Sequence, residues 1–176
     1  WNLALVSRRR DELERVAGAI NGFPGQGKAS VFVHDVTDTA SVPHLFESIV
    51  ELLGGLELVI YAAGVMPDVR KDEYDFSKDK LMIEVHLMGQ VAWLNESADF
   101  MGRIKRGTIV GIGSVAGDRG RTGQPVYNTS KGAQAIYLES LRNRLAMQDV
   151  RVVTVKPGPV DTPMTAGLGS MPFMIS

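Results

Sequence analysis

Residues 107–131 read Gly107-Thr-Ile-Val-Gly-Ile-Gly-Ser114, then Val115-Ala-Gly-Asp-Arg-Gly-Arg-Thr-Gly-Gln-Pro-Val126, then Tyr127-Asn-Thr-Ser-Lys131. The stretch opens with an apolar run of strand length, Thr108 to Ile112. It crosses a polar, glycine-rich loop and ends where helical spacing begins, with Ala133, Ile136, Tyr137 and Leu141 on one side of a helix expected over 127–147. Working outward, the same alternation repeats. Strands are expected at 2–7, 30–34, 58–61, 108–112 and 151–155. Helices are expected at 11–20, after Ser41 with Pro43 in the first turn, and at 80–101. Alternating helices and continuously apolar strands mark a parallel sheet covered on both faces. The fold class expected is α/β, a doubly wound parallel sheet in three layers.

Bulk properties agree with that class. The chain has 176 residues, 19 Lys+Arg against 20 Asp+Glu, 44% apolar residues and no Cys. This is the length and composition of one globular domain, with a substrate loop from about residue 159. A net charge of −1 gives no reason to expect nucleic acid as a partner. Without Cys there is no disulfide framework and no thiolate chemistry, and no ligand spacing points to a metal. The apolar runs fall far short of the ~20 residues that span a bilayer, and no apolar h-region precedes Arg8-Arg9-Arg10. A cytoplasmic protein without a transmembrane segment is expected.

Three apparent signatures fail on context. Gly22-Phe-Pro-Gly-Gln-Gly27-Lys28 approaches a phosphate-binding loop, but Ala29 follows where a hydroxyl is needed, and the order is helix then strand. Gly111-Ile-Gly113-Ser-Val-Ala-Gly117 follows a strand but leads into a loop rather than a helix N-terminus. Asn95-Glu-Ser97 and Asn128-Thr-Ser130 match a glycosylation acceptor inside expected helices.

Tyr127 and Lys131 carry chemistry. Four residues apart at a helix start, they share one face. An ammonium beside a phenol favours the phenolate, which suits a Tyr to general acid/base work. Ser114 ends the preceding strand, and the carboxyl ends of parallel strands form the ligand crevice.

Gly107-Thr-Ile-Val-Gly-Ile-Gly-Ser114, Tyr127-Asn-Thr-Ser-Lys131 and Val153-Thr-Val-Lys-Pro157-Gly158-Pro-Val160-Asp-Thr162 occur in the order and spacing of the short-chain dehydrogenase/reductase family, which this sequence resembles over essentially its whole length. The resemblance implies hydride transfer between a nicotinamide cofactor and a small-molecule carbonyl or secondary alcohol. Tyr127 is then the general acid/base, Lys131 lowers its pKa and holds the ribose, and Ser114 holds the substrate oxygen. Pro157, Gly158, Val160 and Thr162 would hold the carboxamide, and Asp35-Val36 the adenine. Tyr61-Ala62-Ala63-Gly64 stands where the family has Asn-Asn-Ala-Gly; Ala62, Ala63 and Gly64 still allow backbone approach to the cofactor. His86 stands where the family has an Asn that holds a relay water, and it reads equally as a working substitute or as a core His. His34 and His44 read as structural.

Cofactor choice is read from the end of the first strand, Ser7-Arg8-Arg9-Arg10. No acid stands at its tip to take a ribose 2′-hydroxyl, and guanidinium pairs well with phosphate. NADP(H) is favoured, with Arg8 first and Ser7 and Arg9 in support. The family's glycine-rich turn has no counterpart here, so a first βα unit and a C-terminal end are expected to be missing from this chain. Ala116-Gly-Asp118-Arg119-Gly-Arg121 is similar to the branch that reduces a 2-keto sugar on a polyprenyl phosphate. Met164, Met171, Phe173 and Met174 read as an apolar lid or as ordinary packing. The family assembles as homodimers or homotetramers through the helices at 80–101 and 127–147. The alternatives are a catalytically silent dinucleotide-binding protein, motivated by His86 and Tyr61, and an epimerase or dehydratase on the same fold.

Overall fold

The computed structural model describes residues 1–25, 27–162, 164 and 165. Parallel strands alternate with helices throughout, the arrangement of a doubly wound, Rossmann-like α/β fold. The chain divides into two compact units, Trp1–Leu56 and Glu57–Ser176.

In the first unit β1 (Leu3–Ser7) pairs in parallel with β2 (Ala29–Val33), Leu3 opposite Ala29 and Ser7 opposite Val33. Helix α1 (Arg10–Asn21) makes the crossover and buries Leu13 and Ala17. Helix α2 (Val42–Leu53) follows Ser41, with Pro43 in its first turn, and ends at Gly54 in the left-handed region, φ 71°. It buries Val42, Phe46 and Ile49.

In the second unit β3 (Leu58–Tyr61), β4 (Gly107–Ile112) and β5 (Val150–Val155) form a parallel sheet in the order β3-β4-β5. The β3–β4 crossover is one long helical run: α3 (Phe76–Ile83), a π-helical turn (Glu84–Met88) and α4 (Gly89–Ile104). Asp75 caps its start by accepting from the Ser77 and Lys78 amides. The helix therefore begins four residues before the expected Lys80, because Asp75 supplies the cap. The β4–β5 crossover is a 3₁₀ turn (Val115–Asp118) followed by α5 (Pro125–Leu145).

The core of this unit is Ile109 and Val152 of the sheet against Leu94, Met101, Leu138 and Leu141. β1 pairs with β2 in the first unit, and β3 with β4 in the second. Among the described residues no helix is long and apolar enough to cross a membrane. The expected lid residues Met171, Phe173 and Met174 lie outside the described residues.

Candidate active site

Four segments of the second unit bring the expected catalytic residues together. The first is the end of β4. Ser114 leaves the strand with extended backbone and accepts the Ala116 amide at 3.1 Å, opening the 3₁₀ turn. That turn lies on α5 because Gly117 has no side chain. A Cβ there would stand 2.5 Å from the Gly132 nitrogen and 2.6 Å from the Lys131 carbonyl carbon. Gly117 thus serves close packing against the backbone of Lys131 and Gly132 rather than a cofactor turn.

The second segment is the start of α5. Gln124 holds a left-handed conformation, φ 56°, and its side chain donates to the Pro67 carbonyl at 3.2 Å. Asn128 donates to the Gly123 carbonyl at 3.1 Å, and Pro125 sets the first helical turn. These contacts fix Tyr127 in the first turn and Lys131 one turn on. Lys131 is buried; its ammonium donates to the Ile112 carbonyl at 3.3 Å and lies 5.8 Å from the centre of the Tyr127 ring. Burial lowers the Lys131 pKa to about 8.

The Tyr127 phenol moves the opposite way from the sequence expectation. Partial burial pushes its pKa above the ordinary value, and the neighbouring Ser114 hydroxyl only partly offsets this. Ser114 is therefore the group that favours the phenolate, while the ammonium lies over the ring.

The third segment is the loop after β3. A Cβ on Gly64 would meet His86 Nε2 at 3.6 Å and Lys131 Nζ at 3.8 Å, so a side chain there would fill space beside the ammonium. Ala63 is half-buried and Ala62 exposed. In place of the family's Asn, Tyr61 is buried and its hydroxyl donates to the Val85 carbonyl at 2.5 Å. The π turn frees that carbonyl from regular helical bonding.

The π turn itself is the fourth segment. His86 is fully buried within it, its ring edge-on to Tyr127 with centroids 5.4 Å apart. Burial and the Lys131 charge hold its pKa down to about 3. Sequence reasoning missed Ser130, whose hydroxyl contacts His86 Nδ1 at 2.7 Å and donates to the Tyr127 carbonyl at 2.8 Å. The available signal was its place three residues after Tyr127, where a Ser hydroxyl reaches back to a helical carbonyl.

The loop after β5 joins this unit through backbone. Val115 donates to the Pro157 carbonyl at 3.2 Å. Gly158 follows, and the Thr165 hydroxyl donates to the Val160 carbonyl at 2.6 Å and accepts the Thr162 amide at 3.1 Å.

The remaining expected residues lie in the first unit. Ser7 accepts the His34 amide on its carbonyl at 3.0 Å and the Arg9 amide on its hydroxyl at 3.4 Å. Arg8 Nη1 lies 3.5 Å from Asp35 Oδ2, with the Arg8 side chain 58% exposed. Asp35 Oδ1 accepts the Thr37 amide at 3.0 Å and hydroxyl at 2.8 Å, which with Arg8 holds its carboxyl below the usual carboxylate range. Arg8, Asp35 and His34 line an open groove with Asp38, Ser41 and His44. Val36 is half-buried and Arg9 exposed.

A strand-end Ser, and a Tyr with a Lys one turn on, thus converge at the carboxyl edge of a parallel sheet, where such folds hold their ligands. The chain belongs to the short-chain dehydrogenase family, whose model matches residues 1–172. It is 30% identical over 175 residues to an uncharacterized oxidoreductase of Mycobacterium tuberculosis, covering 99% of this chain and 69% of that protein. It is 27% identical over 166 residues to an uncharacterized oxidoreductase of Staphylococcus epidermidis, covering 94% of this chain and 70% of that protein. Among solved structures it is similar to NAD+-bound xylitol dehydrogenase, with TM-score 0.86, 24% identity, and 98% of this chain matched to 69% of that one. It is also similar to NADP-bound ElxO, with TM-score 0.82, 22% identity, and 91% of this chain matched to 64% of that one.

Proposed function

We propose that the protein is an NADP(H)-dependent oxidoreductase that interconverts a small-molecule carbonyl and its alcohol. The observation that carries this reading is the Tyr127 phenol beside the Ser114 hydroxyl, with the buried Lys131 ammonium over the Tyr127 ring. The residues fit a nicotinamide dinucleotide. Lys131 gives only one of its three protons to the Ile112 carbonyl, leaving donors for ribose hydroxyls, and Gly64 keeps the space beside it open. When bound, the cofactor supplies or accepts the hydride. Tyr127 gives its phenolic proton to the carbonyl oxygen, or takes one from the alcohol in reverse, and Ser114 holds that oxygen by hydrogen bonding. A phenol with a raised pKa keeps its proton near neutral pH, the form that reduction needs.

Preference for NADP(H) is supported by the exposed Arg8, which pairs only at 3.5 Å with Asp35 and has guanidinium protons left for a 2′-phosphate. The similar solved structures include one with NAD+ and one with NADP bound, so the preference rests on Arg8, with Ser7 and Arg9 beside it. Exposed Arg119 and Arg121 fit a phosphorylated keto sugar as substrate. Leu81, Met88 and Ile136, exposed by 36, 52 and 67%, support a homodimer or homotetramer through the α3–α4 run and α5. The setting in this reading is the cytoplasm.

The test is NADPH oxidation by the purified protein against a panel of aldehydes, ketones and keto sugars, beside Tyr127→Phe. Turnover is expected, and its loss in Tyr127→Phe by roughly a hundredfold or more, the scale of general acid/base catalysis. Equal turnover in Tyr127→Phe removes the mechanism. Tight NADPH binding with no turnover favours a silent dinucleotide-binding protein.

A further inference from the structure

One buried side chain, His86 of the π turn, reaches two of the other three segments that build the candidate site. His86 Nε2 accepts the Val65 backbone N–H at 3.0 Å. A neutral imidazole has one acceptor nitrogen and one donor, so the proton of His86 sits on Nδ1. That N–H points at Ser130 Oγ, 2.7 Å away. The Ser130 hydroxyl has one proton, and it goes to the Tyr127 carbonyl at 2.8 Å. The turn carrying His86 is held in its own right: Gln134 Nε2 donates to the His86 carbonyl at 2.7 Å, and Tyr61 donates to the Val85 carbonyl.

Every hydrogen in this chain has one destination. Its two ends are the Val65 amide and the Tyr127 carbonyl, and neither gains or loses a proton at ordinary pH. A route for protons needs a titratable group or water at each end; this chain has backbone at both.

We propose that His86 and Ser130 are a positioning pair, a strap from the loop after β3 to the first turn of α5, and that His86 carries no proton in the reaction. The strap sets where the Tyr127 backbone sits relative to Gly64 and Val65, and so where the phenol meets Ser114. The titratable groups facing His86 are Lys131 and Tyr127, both on α5. From the β3 side it meets Gly64 and Val65, which do not titrate. A proton added at Nε2 would set two N–H groups against each other and add charge beside the Lys131 ammonium. This rests on the proposed oxidoreductase reading only where turnover is measured.

The test begins with the purified protein carrying ¹⁵N-histidine and ¹³Cζ-tyrosine. Long-range ¹H–¹⁵N spectra from pH 5 to 9 are expected to show His86, assigned by its loss in His86→Asn, as the Nδ1–H tautomer with unmoving shifts. A titration with a midpoint near 6 to 7, or an Nε2–H tautomer, overturns the proposal. Next, Ser130→Ala is expected to shift the Tyr127 ¹³Cζ resonance, assigned by its loss in Tyr127→Phe, which needs no turnover. In the active enzyme Ser130→Ala should lower kcat roughly tenfold, on the scale of one lost hydrogen bond. It should leave KM within about twofold and the midpoint of the pH–rate profile in place, since the bond removed orients and does not ionise. An unmoved Tyr127 resonance, an unchanged kcat, or a shifted pH midpoint each overturns it. If no carbonyl is turned over, the proposed function fails, while the tautomer and the tyrosine resonance still decide the strap.

Discussion

The Lys131 ammonium stands 5.8 Å from the centre of the Tyr127 ring, buried, with the Ile112 carbonyl as its hydrogen-bond acceptor. A buried charge with a single neutral acceptor is costly to the fold, and this one is held where a ligand's hydroxyls would complete its bonding.

That cost gives a pH signature. Burial lowers the Lys131 pKa from 10.5 to about 8. Below pH 8 both folded and unfolded states hold the proton, and the full penalty is present. Between about 8 and 10.5 the unfolded state binds more protons, so stability from this group rises with pH. Tyr127 and Tyr137, both raised by burial, act in the opposite sense above pH 10. Lys131→Met is therefore expected to be more stable than the parent at pH 7, by up to about 3 kcal/mol. The gap should narrow by pH 9.5, and urea unfolding at the two values measures it. A gap constant with pH would mean that the ammonium is not paying for burial.

In the proposed reading, cofactor preference turns on Arg8. The Asp35 carboxylate holds the guanidinium at 3.5 Å, while its other oxygen is occupied by Thr37. Arg8→Ala should weaken NADPH binding roughly ten- to a hundredfold, the range for a charge-assisted hydrogen bond, and leave NADH nearly unchanged. Asp35→Asn, which releases the guanidinium, should not weaken NADPH by the same route. Titration of each variant with both cofactors by fluorescence decides it, and equal losses for NADPH and NADH remove Arg8 from the 2′-phosphate role.

The alternation of elements was legible because the strands are short apolar runs and the first two helices are followed by Gly. Gly54 ends α2 in the left-handed region and Gly22 follows α1. The π turn at 84–88 was not. Glu84-Val-His-Leu-Met88 has no Gly or Pro, and one extra residue in a helical turn leaves apolar spacing almost unchanged. The same limit hid the helix start at Phe76, since Asp75 caps it amid a polar loop. At the candidate site, Tyr127, Lys131 and Ser114 were singled out by their place on one helix and one strand end together with the family's order of motifs. The direction of the Tyr127 pKa was not, because it depends on how deeply the phenol is buried and on which neighbour reaches its oxygen.

Gly117 tests whether backbone contact holds the Ser114 turn in place. Its missing Cβ would meet the backbone of Lys131 and Gly132, which cannot rotate away as a side chain can. Gly117→Ala should push the 3₁₀ turn off α5 and cost about 1–3 kcal/mol, the range for overpacking. Activity should fall with it, because Ser114 caps that turn. Gly120→Ala is the control, since a Cβ there meets nothing within 4 Å. Thermal unfolding and kcat of the two variants separate the readings. Equal behaviour would show that the turn yields without consequence.

His86 supplies an acid-side signature that needs no substrate. Burial first, and the Lys131 charge second, hold its pKa at about 3 against an ordinary 6.5. Above pH 6.5 both folded and unfolded states leave it neutral. Between 6.5 and about 3 the unfolded state takes up a proton that the folded state refuses, so stability falls as pH falls through that window. At pH 4.5 the loss from this residue alone is about 3 kcal/mol, from two pKa units at ~1.4 kcal/mol each. His34, also lowered by burial, adds loss of the same sign, so the parent must be compared with His86→Asn and not with theory. His86→Asn removes the ionisable ring and keeps a polar side chain. It is expected to be the less stable protein at pH 7, where Val65 and Ser130 lose their partner. It is also expected to lose less than the parent on going to pH 4.5. Urea unfolding of both at the two pH values gives four free energies. A parent and variant that fall in parallel would show that His86 already binds its proton in the folded protein.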